Sequence, residues 1–386
     1  MKVAIVHNHP IHYKHLLFTE LQKVGLDFDV IFQGGQSAIR HENIELSEHL
    51  YRSHIAYRGP YETAPFLTRA WFTWKKMVEL RPDVSVISGY YAIECWAAWT
   101  WAKLHGRPIV LWYESNEFDY RRHWFLEMVK TIFVKGCDGG AHVYGRTNRA
   151  YLVKLGMPFD RIDIKRAVVD VNRFSVTRES RPPNERRRLR LLYVGRLAPE
   201  KNLHFLLRAF ARYLKQAATP EMELVLAGSG PCEASLRAEA KTLQIDRFVS
   251  FNGYTPQKEL GKLYESADFF ILPSTREPWG LVALEAMLAR LPVLISTQCG
   301  CAEDVVTEET GWKFSPWDEY ALSHLLLELP SLAPDLCQTM GEAAYALAKE
   351  YSARNCAAII MNSLSRFAPK RYAGGPISQT KVETGR

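Results

Sequence analysis

The chain has 386 residues but only seven cysteines, an odd number, of which only Cys299 and Cys301 lie close together; there is no Cys-x-x-Cys. That excludes a disulfide framework and a zinc knuckle. No run approaches 18 apolar residues, so no helix spanning a bilayer is expected. The start, Met1-Lys2-Val3-Ala4-Ile5-Val6-His7-Asn8, has a short apolar run and no small-residue cleavage site. It reads as a first strand rather than a signal peptide, and a reduced, cytoplasmic setting is expected. Charge of one sign is also scarce: 49 Lys and Arg stand against 42 Asp and Glu. An excess of +7 that is this diffuse argues against a nucleic-acid binder, yet suits phosphorylated ligands or an anionic membrane surface. The first strand is not followed by G-x-G-x-x-G, and Gly228-Ser229-Gly230-Pro231-Cys232-Glu233-Ala234 is broken by Pro231 and Glu233. A nicotinamide dehydrogenase is therefore not expected. With 47% hydrophobic and 24% charged residues, the composition excludes a disordered or fibrous chain.

What is present is alternation. Val3–His7, Phe28–Gln33, Val84–Ser88, Ile109–Glu114 and Ala141–Tyr144 read as buried strands in the first half. Leu189–Gly195, Met222–Gly228, Phe248–Gly253, Asp268–Ser274 and Pro292–Ser296 do so in the second. Helical spacing lies between them, as in Leu203, Leu206, Leu207, Phe210 and Leu214, with Asn202 as the expected N-cap. Strands buried on both faces and separated by helices make doubly wound parallel sheets, so an α/β protein of two Rossmann-like domains is expected. The seam is Arg181-Pro182-Pro183-Asn184-Glu185-Arg186-Arg187-Arg188, and 10 of 12 His and 7 of 10 Trp precede it. The expected layout is an N-terminal acceptor-side domain over 1–175, a linker over 176–188 and a donor domain over 189–350. A last helix over 351–367 and a disordered tail over 368–386 complete it.

The richest segment is Ser274 to Ala289. Pro278 suits the first position of a helix, which puts Glu277 at its mouth, and Gly280 lets a ligand approach the backbone. Eight of the nine residues from Leu281 to Ala289 are apolar, Glu285 being the exception. A helix buried nearly all round with one carboxylate needs partners for it, and ligand hydroxyls could supply them. Free N–H groups at the helix mouth would hold a phosphate. The structural alternative is that Glu277 caps the helix and Glu285 pairs with a nearby Lys or Arg. Upstream, the strand ending at Gly195 is followed by Arg196 and Lys201, where a cation meets a ligand in this architecture. Taken singly, each of these two reads equally as a solvated loop charge.

Glu277 and Glu285 stand in an E-x7-E spacing around Trp279-Gly280. With Val194-Gly195-Arg196-Leu197, Glu200-Lys201-Asn202, Gly228-Ser229-Gly230-Pro231, Asp268–Ser274 and Gly300, this resembles the donor domain of a family 4 glycosyltransferase of GT-B fold. The strong match covers Leu189–Phe314, while Val6–Tyr13 and Glu114-Ser115-Asn116 resemble one branch of that family. The resemblance implies a retaining, hexosyltransferase-type enzyme whose donor is a nucleotide-diphosphate sugar and whose acceptor is a hydroxyl on a glycan, a lipid-linked glycan or a small molecule. Polysaccharide biosynthesis is the implied setting. Carried over residue by residue, Arg196 and Lys201 hold the diphosphate, Glu285 the ribose, and Glu277 the hydroxyls of the transferred sugar. Gly195 and the backbone of Trp279, Gly280, Leu281 and Val282 complete the donor contacts. No cofactor or divalent metal is implied, and no Asp-x-Asp pair is expected to hold one. Where many relatives place a His near the sugar, this chain has Glu114. In place of a glycine pair in the first loop it has His9-Pro10-Ile11-His12.

His7, His9, His12 and His15 invite a metal reading, but no Asp, Glu or Cys stands nearby at ligand spacing. Acceptor or phosphate contact from the cleft, above all by His12, is the better expectation. Phe66–Met77 and Tyr120–Phe125 mix aromatics with cations. Either they are core helices with charged outer faces, or they give peripheral contact with the inner face of a membrane. Two other functions keep the same donor site: a sugar-nucleotide epimerase or hydrolase, and a non-catalytic nucleotide-sugar-binding protein.

Overall fold

The computed structural model describes residues 1–38, 50–119, 123–176, 188–219 and 221–367. Seven parallel strands make the first sheet: β1 (Lys2–His7), β2 (Asp27–Phe32), β3 (Arg52–Ile55), β4 (Val84–Ser88), β5 (Ile109–Tyr113), β6 (Ala141–Val143) and β7 (Ile162–Ile164). Their spatial order is β3-β2-β1-β4-β5-β6-β7. Six more make the second: β8 (Leu189–Val194), β9 (Met222–Ala227), β10 (Val249–Gly253), β11 (Phe269–Leu272), β12 (Val293–Ser296) and β13 (Gly311–Phe314). Their order is β10-β9-β8-β11-β12-β13. Strand order reverses between β1 and β4 and again between β8 and β11, and at such points the loops beyond the strands' carboxyl ends open a ligand crevice.

Every strand expected from an apolar run is present, within about two residues at its ends. Three were not expected: β3, β7 and β13. Each lies at a sheet edge and is four residues or fewer, with partly exposed positions such as Ser53, Asp163 and Lys313. Half-open edge strands have no continuous apolar run to announce them.

Both faces of the first sheet are covered. Met77, Ala98 and Phe133 of three helices, Phe66–Leu80, Ile93–Leu104 and Trp124–Lys135, join one core cluster on the same face. Leu17, Phe18 and Leu21 of the helix His12–Lys23 pack on the other face, together with Cys356, Ile360 and Leu364 of the helix Ala353–Ser365. That last helix belongs to the end of the chain yet packs against the N-terminal domain. The linker over 177–187 and the tail over 368–386 lie outside the described residues.

Two local expectations are corrected. Asn202 precedes the helix Leu203–Gln216 but adopts φ 57°, ψ 34° and does not cap it; its Nδ2 donates instead to the Pro316 carbonyl at 2.9 Å. The helix after Glu277 starts at Leu281, so Pro278 lies three residues ahead of it, and Gly280 (φ 104°) makes the turn. A residue with a Cβ rarely adopts that angle.

Candidate active site

Loops after β8, β11 and β12 form one wall of the cleft. Lys201 donates to Glu277 in an ion pair that is largely buried on both sides. Arg196 is mostly exposed and pairs with Glu200 at 2.6 Å. Lys201 is thus not a solvated loop charge, whereas Arg196 stays largely solvated beside its carboxylate. The Thr275 N–H donates to the Glu200 carbonyl at 3.0 Å, tying the β8 and β11 loops together. Glu277 is therefore positioned by a lysine rather than spent as a helix cap.

The helix Leu281–Leu288 is not buried all round. Leu281, Val282 and Glu285 are partly open, while Ala283, Leu284 and Ala286 to Ala289 are buried. Glu285 accepts from the Tyr264 hydroxyl at 2.8 Å. Leu281 and Glu285, one turn apart, face an open hollow also lined by His12, Asp170, Phe174 and Gln257. The first N–H groups of that helix have no partner within it and point toward its mouth.

The other wall is built on β5, β6 and β7. Glu114 follows β5 and is partly exposed. Its Oε1 accepts from Lys14 Nζ at 2.7 Å and from the Tyr144 hydroxyl at 2.5 Å. Burial by itself would raise this carboxyl, but Lys14, Lys165 and the two hydrogen bonds bring it down to about 2. Lys165, itself buried over the Tyr144 ring at 4.1 Å, is lowered by burial to about 8. Asn116 brings this wall against the first: its Nδ2 donates to the carbonyls of Glu277 (3.2 Å) and Pro278 (3.1 Å). Glu114 thus stands two residues from a contact with the Glu277 loop.

The Trp279 side chain is buried between Tyr144 and Tyr351, at 5.7 and 6.1 Å between ring centres, so it fixes the two lobes and leaves only its backbone near a ligand. His12 Nε2 lies 2.9 Å from Asp170 Oδ2, and among the described residues no group of three metal-ligating side chains forms around the histidines. The chain does contain one Asp-x-Asp, Asp27-Phe28-Asp29. It opens β2 at the sheet's amino end, away from the cleft, where Asp29 is engaged by Arg52 and His54. Lys14, Tyr144, Lys165, Asp170 and Tyr264 were missed. Of these, Lys14 alone left a signal, a cation in the stripe 14, 17, 18, 21.

Residues 176–347 match the family model described as glycosyl transferases group 1. The chain is 39% identical over 121 residues to an uncharacterized glycosyltransferase of Methanocaldococcus jannaschii, covering 31% of this chain and 30% of that protein. It is 30% identical over 190 residues to a putative colanic acid biosynthesis glycosyltransferase of Escherichia coli, covering 48% of this chain and 46% of that protein. These alignments span less than half of either relative's length. Among solved structures, an Anabaena protein in complex with UDP and glucose superposes over 95% of this chain and 100% of its own, with TM-score 0.71 and 16% identity. At that identity the likeness is one of fold. Residues 176–347 thus carry the likeness to the group 1 glycosyl transferases, and the two Rossmann-like sheets give the whole chain the GT-B architecture.

Proposed function

We propose that the protein is a retaining, metal-independent glycosyltransferase that moves a sugar from a nucleotide diphosphate to a hydroxyl acceptor. What supports this is that Lys201 pairs with Glu277 just ahead of the helix Leu281–Leu288, while Glu285 of that helix shares one hollow with His12. Lys201 and Arg196 hold the diphosphate, Glu285 and Tyr264 the ribose, and Glu277 the hydroxyls of the sugar. As the bond from anomeric carbon to phosphate oxygen breaks, negative charge grows on the diphosphate, where two cations and a helix N-terminus are already oriented. The acceptor oxygen attacks from the same face, and its proton passes to the departing phosphate oxygen. The anomeric carbon becomes cationic meanwhile, and Glu114, held ionised by Lys14, puts negative charge on its side of the cleft. A carboxyl at about 2 is too weak a base to remove the proton itself, which favours the phosphate for that role. Among the described residues no disulfide joins the seven cysteines, which suits a reducing, cytoplasmic setting.

A thermal-shift panel of nucleotides and nucleotide sugars tests the donor site, with UDP and UDP-glucose at its head because the Anabaena structure holds UDP and glucose. A matching donor raises the midpoint; a flat panel across all bases overturns the reading. Lys201→Ala and Glu277→Ala are each expected to lower transfer by ~100-fold or more, and near-normal turnover in both discredits the assignment. Donor consumed without any acceptor would favour the hydrolase or epimerase.

A further inference from the structure

The N-terminal domain leaves its largest apolar side chains in water on one helical layer. In a parallel sheet each returning helix begins at the strands' carboxyl edge, the edge that borders the cleft. At that edge Phe66, Leu67, Tyr91, Trp124 and Phe125 are all more than half exposed, Trp124 reaching 80%. The exposure continues down the helices. On Phe66–Leu80 the residues Leu67, Trp71, Trp74 and Val78 recur at helical spacing and face solvent, while Thr73 and Met77 face the core. The charged outer face expected of an ordinary core helix is thus largely apolar. On Trp124–Lys135 the residues Phe125, Met128 and Ile132 are exposed, opposite buried Phe133 and Val134. Isolated exposed apolar residues need no explanation, but two stripes meeting at one edge do.

Cations border this surface. Lys75 lies over the Trp71 ring at 5.2 Å, and Lys135 ends the third helix, exposed. Anionic headgroups above an apolar layer match both the aromatics and the lysines. We infer that this face rests on a bilayer carrying anionic lipid, with the cleft edge turned to the headgroups, so that the acceptor is presented from the plane of the membrane. The last clause rests on the transferase reading; the docking does not. Contact is peripheral, since among the described residues no helix is long and apolar enough to cross a membrane.

The test is flotation of the full chain with phosphatidylcholine vesicles, with and without phosphatidylglycerol. Binding to the anionic vesicles is expected at low salt and is weakened by high salt. The variant Trp124→Ser, Phe125→Ser, Trp71→Ser, which alters exposed positions only, is expected to bind at least ~10-fold less with an unchanged thermal midpoint. Should that variant not fold, Lys75→Glu with Lys135→Glu is expected to lower anionic binding while leaving the apolar face intact. No flotation of the wild type at low salt overturns the inference, as does equal binding by both variants. Sedimentation showing a dimer that the serine variant dissolves, without vesicle binding, assigns the face to a second copy instead. Vesicle binding alongside a flat nucleotide panel would remove the transferase reading and leave the docking surface standing.

Discussion

Lys14 occupies the first position of an apolar stripe that runs on through Leu17, Phe18 and Leu21, and its side chain is almost wholly buried. Lys165 is buried on the same side, and Glu114 is the carboxylate that draws on both. Two ammonium groups out of water, facing one partly exposed carboxylate, is a costly arrangement, and it sits at the cleft. Glu114→Gln is expected to lower stability by ~3 kcal/mol, because it leaves a buried ammonium without its counter-charge. The acid limb of the stability curve should show the same group. Its folded value, about 2, lies below the usual 4.5, so its contribution is complete above 4.5 and is lost as pH falls from there toward 2. Lys165 behaves in the opposite sense. Its folded value of about 8 lies below the usual 10.5, so the folded state releases its proton first and stability rises as pH climbs through that window. Lys165→Met should abolish that rise, increase stability at neutral pH by up to ~3 kcal/mol, and lower transfer. Thermal unfolding from acid to alkaline pH, paired with a transfer assay, checks both variants; a Lys165→Met protein less stable than wild type would overturn the account. Of this cluster, Glu114 was legible in the sequence because it follows a strand. Tyr144 closed an expected strand but gave no sign of its hydroxyl's partner, and Lys165 was hidden because it follows β7, an edge strand of only three residues.

At the scale of elements, the strand–loop–helix around Glu277 was read correctly in kind and wrongly in register. An apolar run announces a helix but does not set where it starts, and here a glycine two residues past Pro278 does so. A Cβ at Gly280 would lie 3.0 Å from Leu272 Cδ2 and 3.1 Å from Cys301 Sγ, at a backbone angle that L residues avoid. Gly280→Ala is expected to cost ~1–3 kcal/mol and to tilt the helix mouth. At Gly300 the same atom would lie 2.0 Å from the Pro278 carbonyl oxygen, which belongs to backbone and cannot swing aside. Gly300→Ala should therefore push the β12 loop off the β11 loop and destabilise more than Gly280→Ala does. Midpoints ranked the other way would mean that the loops do not support one another. Short edge strands remain the part of the fold that pattern alone does not reveal, because open pairing leaves polar side chains on them.

The two lobes meet through contacts that no sequence motif announces, since each joins residues more than 150 positions apart. Thr147 donates to the Gly300 carbonyl at 2.8 Å, and the Arg146 N–H donates to Asp304 Oδ2 at 3.0 Å. Asp304, on the C-terminal lobe, thereby caps the helix Arg146–Lys154 of the other lobe, where a carboxylate also meets the positive end of the helix. Gly145 keeps the approach open: a Cβ there would lie 2.1 Å from Asp304 Oδ2 and 2.4 Å from Trp279 Cζ3. Burial raises the Asp304 carboxyl from 3.8 to about 6, so the folded state holds its proton at a pH where the unfolded chain has lost it. Ionisation therefore carries a cost at neutral pH that is relieved as pH falls from about 6 toward 3.8. Asp304→Asn keeps an acceptor for the Arg146 N–H and loses the charge, so it should unfold no earlier than wild type at neutral pH and show a flatter pH profile in that window. Asp304→Ala removes the acceptor from the exposed Arg146 N–H and loosens the hold of one lobe on the other. On the proposed reading, in which the donor binds where the lobes meet, the alanine variant should also show a several-fold weaker donor affinity that the asparagine variant does not share. Thermal unfolding with donor titration on the pair separates a cap between lobes from a residue that merely fills space: equal losses in both would assign Asp304 to electrostatics alone, and no loss in either would detach it from closure.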